Sequence, residues 1–235
     1  MSISYKVPLI KQGVQECAQA SAAQIISYYG LNKSLEEIKQ EVPVYIDSDG
    51  RKYGTSLGHI ATYFQKLGFK TKLHSSDIII FDRSWQDLNS EELTKKLSER
   101  TSFIKHGIYD ETTIMVIVDG YSQYLADGGQ ISLPLVDTAY ILKYLQQGPL
   151  YMVVSYNSLN NCPKYDFSGD PIQDDIKGIP TTHAIVISGY QDGQFEIVDP
   201  DFKFGGYRKI SESQLLAAYY LAQTDMDCLF ISFEK

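Results

Sequence analysis

Residues 12–30 of the chain read QGVQECAQASAAQIISYYG, and this segment predicts a helix with a cysteine at its first turn. From Cys17 to Tyr29 it contains no proline or glycine and is rich in alanine, and Gly30 is a typical helix terminator. The small side chains of Ala18, Ala20, Ser21, Ala22 and Ala23 would let the helix backbone lie close to its neighbours. We therefore expect Cys17 at the N-terminal end of a tightly packed helix.

The position of Cys17 favours a reactive thiol. At the first turn of a helix, unpaired backbone N–H groups and the helix dipole stabilise a negative charge and lower the pKa of a thiol. A lone cysteine is more often a small buried apolar residue. The other two cysteines, Cys162 in a polar loop and Cys228 at the start of a late strand, have no such helix start. Cys17 is therefore the candidate nucleophile.

A thiolate nucleophile needs an imidazole partner, and His183 has the most suitable position of the four histidines. It follows a long loop and begins the apolar strand AIVISGY, which would hold it rigidly at the edge of a sheet. His59 lies in a predicted helix, His74 follows a strand into a polar loop, and His106 lies in a polar segment. The alternative for His183 is a structural role as a polar residue at a strand end.

The third group of such a site accepts a hydrogen bond from the imidazole and fixes its tautomer. Asp199 ends the next strand, FEIVDP. A two-residue turn at residues 192–193 would place Asp199 on the sheet face opposite to His183. A three-residue turn at residues 191–193 would pair it with Ile185, on the same face, where side chains can bridge the diagonal. We expect the three-residue turn and Asp199 as the orienting acid, with an Asp-Pro turn of no catalytic role as the alternative.

Formation of a tetrahedral intermediate also requires donors for the developing oxyanion. The backbone N–H of Cys17 can supply one donor, and an upstream side-chain amide can supply the second. Gln12 and Gln15 are the candidates. Because Gln15 lies so close to the helix start, we prefer Gln12.

Elsewhere, apolar periodicity and turn residues predict further elements. Further helices are expected at residues 34–41, with a Ser34–Glu37 capping box, and at 55–67, 90–99, 135–147 and 212–221. Extended segments are expected at residues 3–10, 69–73, 78–81, 113–118, 150–156 and 228–233. Residues 121–134 read as turn-rich. Residues 157–180 read as a long loop, which we interpret as a flap over the substrate cleft because it directly precedes His183.

The order of these elements predicts an α+β fold. Helices come first and are followed by strands that pair mostly as hairpins, which is typical of an antiparallel sheet packed on an N-terminal helical part. The chain has 235 residues, a length that suits one well-cored domain. We expect a single domain over residues 1–235, with a helical half at about 1–110 and a sheet half at about 111–235.

Composition excludes several functional classes. The formal net charge is −8, which argues against nucleic-acid binding because phosphates require a basic surface. No segment approaches the roughly 20 apolar residues of a transmembrane helix, and the N-terminus does not resemble a signal peptide. We expect a cytoplasmic protein, with leaderless export as the alternative. Three sparse cysteines and four scattered histidines form no disulfide framework or zinc motif, so no metal and no cofactor are predicted.

The same segments resemble the peptidase C39-like family of the papain-like cysteine peptidase superfamily. The similarity lies in VPLIKQGVQECAQASAAQIISYYG, GTSLGHIATYFQKLGF, YLQQGPLYMVVSY, THAIVISGY and IVDP. The resemblance implies a papain-like fold, a peptide or protein substrate, and no cofactor. Carried over by position, it implies Cys17 as nucleophile, His183 as base, Asp199 as orienting acid and Gln12 as oxyanion donor.

The chain departs from the family pattern at three positions near the cysteine. Ala18 stands where a glycine is usual, Glu16 stands where an aspartate is common, and Gln12 lies five rather than six residues before Cys17. The chain also lacks the transporter segment of the bacteriocin exporters, so we do not carry over cleavage after a double glycine.

Three functions fit these residues. The first is peptide-bond hydrolysis through a thioester acyl-enzyme. The second uses the same site for acyl transfer or for deamidation of glutamine, because a triad does not determine which group accepts the acyl chain. The third is a peptide-binding module without catalysis. The sequence leaves the substrate, the oligomeric state and the choice among these functions open.

Overall fold

The structure is a computed structural model. It describes residues 2–42, 44–46, 52–103, 111–166, 171–222 and 229–234. Within these ranges the helices are α1 (Cys17–Tyr28), α2 (Leu35–Glu41), α3 (Leu57–Lys66), α4 (Ser90–Thr101), α5 (Glu111–Ala126), α6 (Thr138–Leu145), α7 (Tyr156–Asn160) and α8 (Glu212–Leu221). The strands are β1 (Ser2–Ser4), β2 (Tyr45–Ile46), β3 (Lys52–Gly54), β4 (Lys70–Ser75), β5 (Gln130–Ser132), β6 (Leu150–Ser155), β7 (Tyr165–Asp166), β8 (Ile172–Gln173), β9 (Thr182–Gln191), β10 (Gln194–Asp199), β11 (Gly206–Ser211) and β12 (Leu229–Glu234).

One mostly antiparallel sheet organises the described part of the chain. Its strand order is β11-β10-β9-β6-β12-β4-β5, and β1 pairs with the end of β9 that lies beyond β6. Only the β4–β5 pair is parallel among the pairings of this sheet that involve described residues. The predicted α+β class, with an antiparallel sheet against helices, is confirmed.

Helix α1 packs on the sheet as the sequence predicts. Its small residues are fully buried, and the helix stops before Gly30, which has a left-handed φ of 80°. Ser21 Oγ donates to the backbone carbonyl of Ala184 at 3.0 Å, and the Tyr151 hydroxyl donates to the carbonyl of Ala18 at 3.3 Å. Because Ala184 lies in β9 and Tyr151 in β6, these bonds hold the start of α1 against the centre of the sheet.

The two faces of the sheet bury separate apolar clusters. Ala184 and Val186 of β9 face the cluster that contains α1, α3, α4 and α5. Ile185 and Ile187 face the cluster that contains α6 and α8. Side chains alternate between faces along a strand, so His183 belongs to the α6–α8 side by parity. Since α1 packs on the opposite face, any contact between His183 and Cys17 must occur at the strand ends.

Local capping explains where several helices begin. Ser34 and Glu37 form the predicted capping box of α2, with the Glu37 N–H donating to Ser34 Oγ at 3.2 Å and the Ser34 N–H to Glu37 Oε2 at 2.8 Å. Helix α4 begins at Ser90 as expected, but its cap residue is Asn89, which forms a capping box with Glu92.

The predicted strand at residues 113–118 is wrong, because this segment lies in α5. Its β-branched residues suggested a buried strand, yet Ile114, Ile117, Val118 and Tyr121 are spaced at the helical period of three to four residues and are buried. The helix continues to Ala126, so the expected turn-rich region also shrinks to the residues around Gly128, which has a φ of 82°.

The predicted strand at residues 78–81 is also wrong. These residues form a turn in which Asp77 Oδ1 accepts hydrogen bonds from the N–H groups of Ile79 at 2.6 Å and Ile80 at 3.3 Å. An aspartate that bonds the backbone two and three residues ahead competes with strand pairing. The hydrogen bonds accepted by Asp77 therefore favour a turn here over the strand that the apolar residues predicted.

The hairpin between β9 and β10 has a different turn from the predicted one. Gln191 pairs with Gln194, so the turn has two residues, Asp192 and Gly193, with φ of 52° and 78°. The register then shifts by one residue at Ser188, where β9 carries a bulge, and Val198 pairs with Val186. Continuing this register places Asp199 opposite Ile185. The predicted face for Asp199 is thus reached by a bulge instead of a longer turn.

The predicted loop at residues 157–180 contains more order than expected in its described part. It includes the end of α7 and the small β7–β8 pair. Asn157 connects the two ends of this segment, since its side chain donates to the Pro163 carbonyl at 2.8 Å and accepts from the Thr181 N–H at 3.2 Å. Asp174 Oδ1 accepts hydrogen bonds from the backbone N–H groups of Ile176 and Lys177, so this carboxylate stabilises a local turn.

Candidate active site

Cys17 occupies the first position of α1 and is partly exposed. The preceding residue, Glu16, does not cap the helix with its side chain. Its carboxylate instead accepts from the Gly13 N–H at 3.1 Å and pairs with Lys39 at 2.8 Å. Of the first-turn N–H groups of α1, that of Ala18 acts on the Cys17 sulfur and favours a negative charge there.

His183 lies opposite Val154 at the start of β9 and is almost fully buried. Its Nε2 lies 2.8 Å from Asp199 Oδ1, and the imidazole lies close enough to the Cys17 thiol for the two groups to shift each other's pKa. With Nε2 occupied by the carboxylate, Nδ1 is the nitrogen left for the sulfur. The structure thus brings together the three residues that the sequence singled out.

The Asp199 carboxylate has no exposed surface and accepts three hydrogen bonds. Oδ1 accepts from His183 and from the Asp201 N–H at 2.9 Å, and Oδ2 accepts from Arg208 Nη1 at 2.9 Å. Burial by itself would raise the pKa of Asp199, but these bonds and the charges of His183 and Arg208 lower it below the usual value. The carboxylate is therefore held ionised against the imidazole.

The surroundings of Cys17 and His183 favour the charged form of each group. Burial by itself would raise the pKa of the Cys17 thiol, but the hydrogen bond and charge of His183 and the N–H groups of Ala184 and Ala18 lower it. Burial likewise opposes the charged form of His183, but its bonds to Asp199 and Cys17 outweigh that effect and raise its pKa to about 10. A thiolate beside an imidazolium is the form that acts as a nucleophile near neutral pH.

Gln12 lies beside the same strand end, because its backbone N–H donates to the carbonyl of Pro200 at 3.0 Å. Its side-chain Oε1 is buried and has no hydrogen-bond partner among the described residues. No hydrogen bond of the described residues joins its amide to Cys17, so the predicted oxyanion role stays a prediction. Gln15 lies in the turn before α1 with a left-handed φ of 59°.

The other histidines lie elsewhere. His59 is on α3, with Nε2 3.4 Å from Asp119 Oδ2. His74 lies inside β4 rather than in a polar loop; it is fully buried and bonded to the hydroxyls of Ser232 and Ser132. His106 and the third cysteine, Cys228, lie outside the described residues. Cys162 is partly exposed, and burial raises the pKa of its thiol.

Two residues of the site were not predicted. Tyr156, the first residue of α7, packs the edge of its ring against His183, with ring centroids 5.4 Å apart and planes at 85°. Arg208 on β11 binds Asp199. Because residues 206–211 were not predicted as a strand, its proximity could not be seen. One sequence signal could have found Arg208: it is a basic residue in a strand-like segment that follows FEIVDP, where alternate side chains share a face.

A cleft of about 540 Å³ opens between the end of α2 with β2 on one side and α3 with α5 on the other. Gln19, two residues after Cys17, donates from Nε2 to the Val42 carbonyl and to Thr55 Oγ1, both at 2.8 Å. Val42 and Thr55 line the cleft, so its wall is tied to the first turns of α1. Thr62 and Tyr63 also line it, and their hydroxyl oxygens are buried and have no hydrogen-bond partner among the described residues.

Two further features concern function classes. Among the described residues, no three acidic, histidine or cysteine side chains are grouped closely enough to bind a metal ion. None of the helices in the described part is long and apolar enough to cross a bilayer.

Comparison with known proteins gives a family and a fold. The model of the Peptidase_C39 like family matches residues 4–226. A structure from Bacillus anthracis described as a C39-like peptidase superposes with a TM-score of 0.52 at 14% identity, over 100% of this chain and 98% of the other. This likeness concerns the fold.

Two other solved structures are similar over most of their length. The peptidase domain of Streptococcus ComA, a bifunctional ABC transporter, gives a TM-score of 0.43 at 18% identity, with 96% of both chains covered. A double glycine motif protease from an AMS/PCAT transporter, in complex with its leader peptide, gives 0.41 at 15% identity, covering 98% of this chain and 92% of the other. No curated protein matches the sequence significantly.

Proposed function

The chain belongs to the Peptidase_C39 like family, and from this premise we propose that it is a cysteine peptidase that hydrolyses peptide bonds through a thioester acyl-enzyme. The observation that carries the proposal is the position of the His183 imidazole, 2.8 Å from Asp199 Oδ1 and beside the Cys17 thiol, whose pKa it lowers. A buried carboxylate, an imidazole and a helix-start thiol in this order form the arrangement needed for acyl transfer to sulfur.

In the proposed reaction the Cys17 thiolate attacks the carbonyl carbon of the scissile bond. The tetrahedral oxyanion accepts hydrogen bonds from the Cys17 N–H and from the side-chain amide of Gln12. The His183 imidazolium then gives its proton to the leaving amine, and a thioester remains on Cys17. Neutral His183 next takes a proton from water, which attacks the thioester; the C–S bond breaks, the acid product leaves, and the Cys17 thiolate is regenerated beside the His183 imidazolium. Asp199 keeps the imidazole oriented through both steps and does not transfer the proton.

We assign the substrate to the cleft beside α1. Its wall is joined to the Cys17 helix through Gln19, and it is lined by Thr62 and Tyr63, whose buried hydroxyls have no hydrogen-bond partner among the described residues. The variants Thr62→Val and Tyr63→Phe should raise the KM for a peptide substrate and leave kcat nearly unchanged, because binding away from the scissile bond mainly affects ground-state affinity. An unchanged KM in both variants would contradict this assignment.

The proposal is tested by exposing the purified protein to a peptide library and identifying the products by mass spectrometry. Cleaved peptides are expected, and Cys17→Ala should abolish them while Cys162→Ala leaves them unchanged. His183→Ala should reduce turnover more than Asp199→Ala, because Asp199 only orients the base. Equal product formation by Cys17→Ala and the unaltered protein would refute catalysis by this site.

The same experiment separates the other reactions open to this triad. Deamidation leaves the peptide intact and shifts its mass by about one unit per glutamine. Acyl transfer joins the acyl fragment to an added amine. Either result, in a Cys17-dependent manner, would keep the site and replace hydrolysis as its reaction.

A further inference from the structure

Arg208 forms hydrogen bonds to a buried carboxylate and to the end of a helix, although its own side chain is partly exposed. Its Nη1 donates both to Asp199 Oδ2 at 2.9 Å and to Asn160 Oδ1 at 2.8 Å, and its Nη2 lies 3.5 Å from the Leu159 carbonyl. The side chain is about one quarter exposed, at 23%, while Asp199 is fully buried. The guanidinium therefore bridges the buried carboxylate of β10 and the C-terminal end of α7.

The sheet register places Arg208 on the correct face for this role. In the β10–β11 pair, Asp199 lies opposite Gly206 and Ile197 lies opposite Arg208. Arg208 is therefore the diagonal neighbour of Asp199 on the same face, a separation that a long side chain spans. The next residue, Lys209, points to the other face, where it pairs with Glu196 at 3.2 Å.

All hydrogen bonds of the Asp199 carboxylate are accounted for by three donors. Oδ1 is shared by His183 and the Asp201 N–H, and Oδ2 is bound by Arg208. Without Arg208, Oδ2 would be a fully buried carboxylate oxygen with no donor among the described residues, a costly state that rotation of the carboxylate would relieve. Rotation would move Oδ1 away from His183.

Helix α7 contacts the site at both of its ends. Tyr156 at its start packs on the His183 ring, and Asn160 at its end receives the Arg208 bond. The Leu159 carbonyl is also bound by Gln214 Nε2 of α8 at 3.0 Å. Arg208 thus joins the acid of the site to the element that supports the imidazole from the other side.

We propose that Arg208 is a positioning residue of the Cys17–His183–Asp199 site: it holds the Asp199 carboxylate in the orientation that binds His183 and fastens it to the end of α7. The role rests on the proposed function, but its consequence for Cys17 can be measured without any substrate. The titratable and charged groups near the imidazole and its acid are Cys17 from α1, Tyr156 from α7, Asp199 at the end of β10, Asp201 just after that strand, and Arg208 from β11.

Loss of the arginine should make the thiolate harder to form. A misaligned Asp199 would hold the imidazolium less firmly, and a less stable imidazolium raises the pH at which Cys17 ionises. The rate of Cys17 alkylation by iodoacetamide, measured against pH, gives a midpoint at which the Cys17 thiolate forms. In Arg208→Gln this midpoint should rise by about half a pH unit or more. Lys209→Gln removes the same charge from the opposite face of the same strand and should leave the midpoint unchanged.

A double-variant comparison tests whether Arg208 acts through Asp199. In an Asp199→Asn background, Arg208→Gln should produce no further shift of the midpoint, because its partner charge is already absent. If Arg208→Gln alone fails to fold, Arg208→Lys decides, since lysine keeps the charge but not the planar fork and should shift the midpoint in the same direction by a smaller amount.

The proposal is overturned if the alkylation midpoint of Cys17 is the same in Arg208→Gln and in Lys209→Gln, whether or not the melting temperature falls. It is also overturned if the shift caused by Arg208→Gln persists in the Asp199→Asn background. For Arg208→Lys, an unchanged midpoint overturns it. If the protein cleaves no peptide, the alkylation midpoints still report on Arg208. Failure of the peptidase proposal and failure of this one are therefore distinguishable.

Discussion

At the scale of single residues, the decisive feature is the pairing of a partly exposed thiol with a buried imidazole. Desolvation opposes charge on both groups, yet His183 is the main partner that stabilises the Cys17 thiolate, and Asp199 followed by Cys17 stabilises the His183 imidazolium. Cys162 provides the internal comparison, because burial raises the pKa of its thiol without an imidazole beside it. The two cysteines therefore differ in the sign of their pKa shift.

We predict that this difference appears in the pH dependence of alkylation. Cys17 should react with iodoacetamide at pH 6 faster than Cys162, because its thiolate persists below the ordinary thiol pKa. A second increase in the rate for Cys17 is expected near pH 10, where His183 loses its proton. Peptide mapping by mass spectrometry measures each site separately. Equal rates at pH 6 would contradict the ion pair.

His74 is a second buried imidazole with the opposite behaviour. Burial, together with the charges of Lys72 and Lys143, lowers its pKa well below 6.5, and its ring bonds to Ser232 at 2.8 Å and Ser132 at 2.9 Å in its neutral form. The unfolded chain binds a proton at this residue near pH 6.5 and the folded chain does not. Stability from this group is therefore present above that pH and lost as the pH falls.

We predict that His74→Asn reduces the acid sensitivity of folding. Between pH 7.5 and 5.5, the neutral buried histidine should cost the unaltered protein about 1.4 kcal/mol of unfolding free energy, and asparagine does not titrate. Urea unfolding at both pH values measures the difference. His59→Asn, on the partly exposed face of α3, is the matched control. If both variants keep the same pH difference as the unaltered protein, His74 does not titrate as described.

At the scale of elements, the contact between α3 and α5 explains why α5 is a helix although its β-branched residues predicted a strand. Gly58 of α3 lies against the backbone of Gly120 and Tyr121 in α5, with no room for a Cβ. Gly120 in turn faces the side chain of Ser56. Close approach of two helices through glycine offsets the low helix propensity of this residue and of the β-branched residues in α5.

We predict that Gly58→Ala destabilises the protein by about 1–3 kcal/mol, although alanine is the better helix former by about 1 kcal/mol. The added methyl group would collide with backbone atoms, which cannot move aside without separating the helices. Gly120→Ala should cost less, because its new Cβ would meet the Ser56 side chain. Urea unfolding of both variants provides the test, and a stabilised Gly58→Ala would show that the helices do not pack this closely.

At the scale of the whole molecule, the sheet joins segments that are distant in sequence. Strand β4 from the first half pairs with β12 near the C-terminus along six residue pairs, and β1 pairs with β9. The larger apolar cluster contains residues from Val7 to Phe233. Contacts of this kind couple the helical and sheet halves, and the single domain over residues 1–235 stays a prediction.

We therefore predict a single cooperative unfolding transition. The only tryptophan of the chain, Trp85, packs against the larger cluster on the helical side, so its fluorescence reports on that half. Far-ultraviolet circular dichroism reports on helices and sheet together. The two probes should give the same urea midpoint. Separate midpoints would indicate that residues 1–110 and 111–235 fold as independent units.

Local chemistry along the chain was sufficient for the parts of the fold and site that depend on near neighbours. The composition and glycine stop of α1, the capping box of α2 and the AIVISGY and FEIVDP strands were all predicted, because propensity, capping and alternation act over a few residues. The choice of Cys17, His183 and Asp199 as a group also came from local positions, since a helix start and two strand ends are recognisable in sequence.

Other features depended on contacts between distant residues. The bulge at Ser188 that brings Asp199 to the face of His183, the helical state of residues 113–118 and the bond from Arg208 to Asp199 were each missed. A register is decided by pairing along the whole hairpin, a β-branched run becomes helical when its apolar stripe has a partner such as α3, and an arginine finds a buried carboxylate only after β11 has paired. These energies arise only in the folded chain, and for that reason tertiary structure decided them.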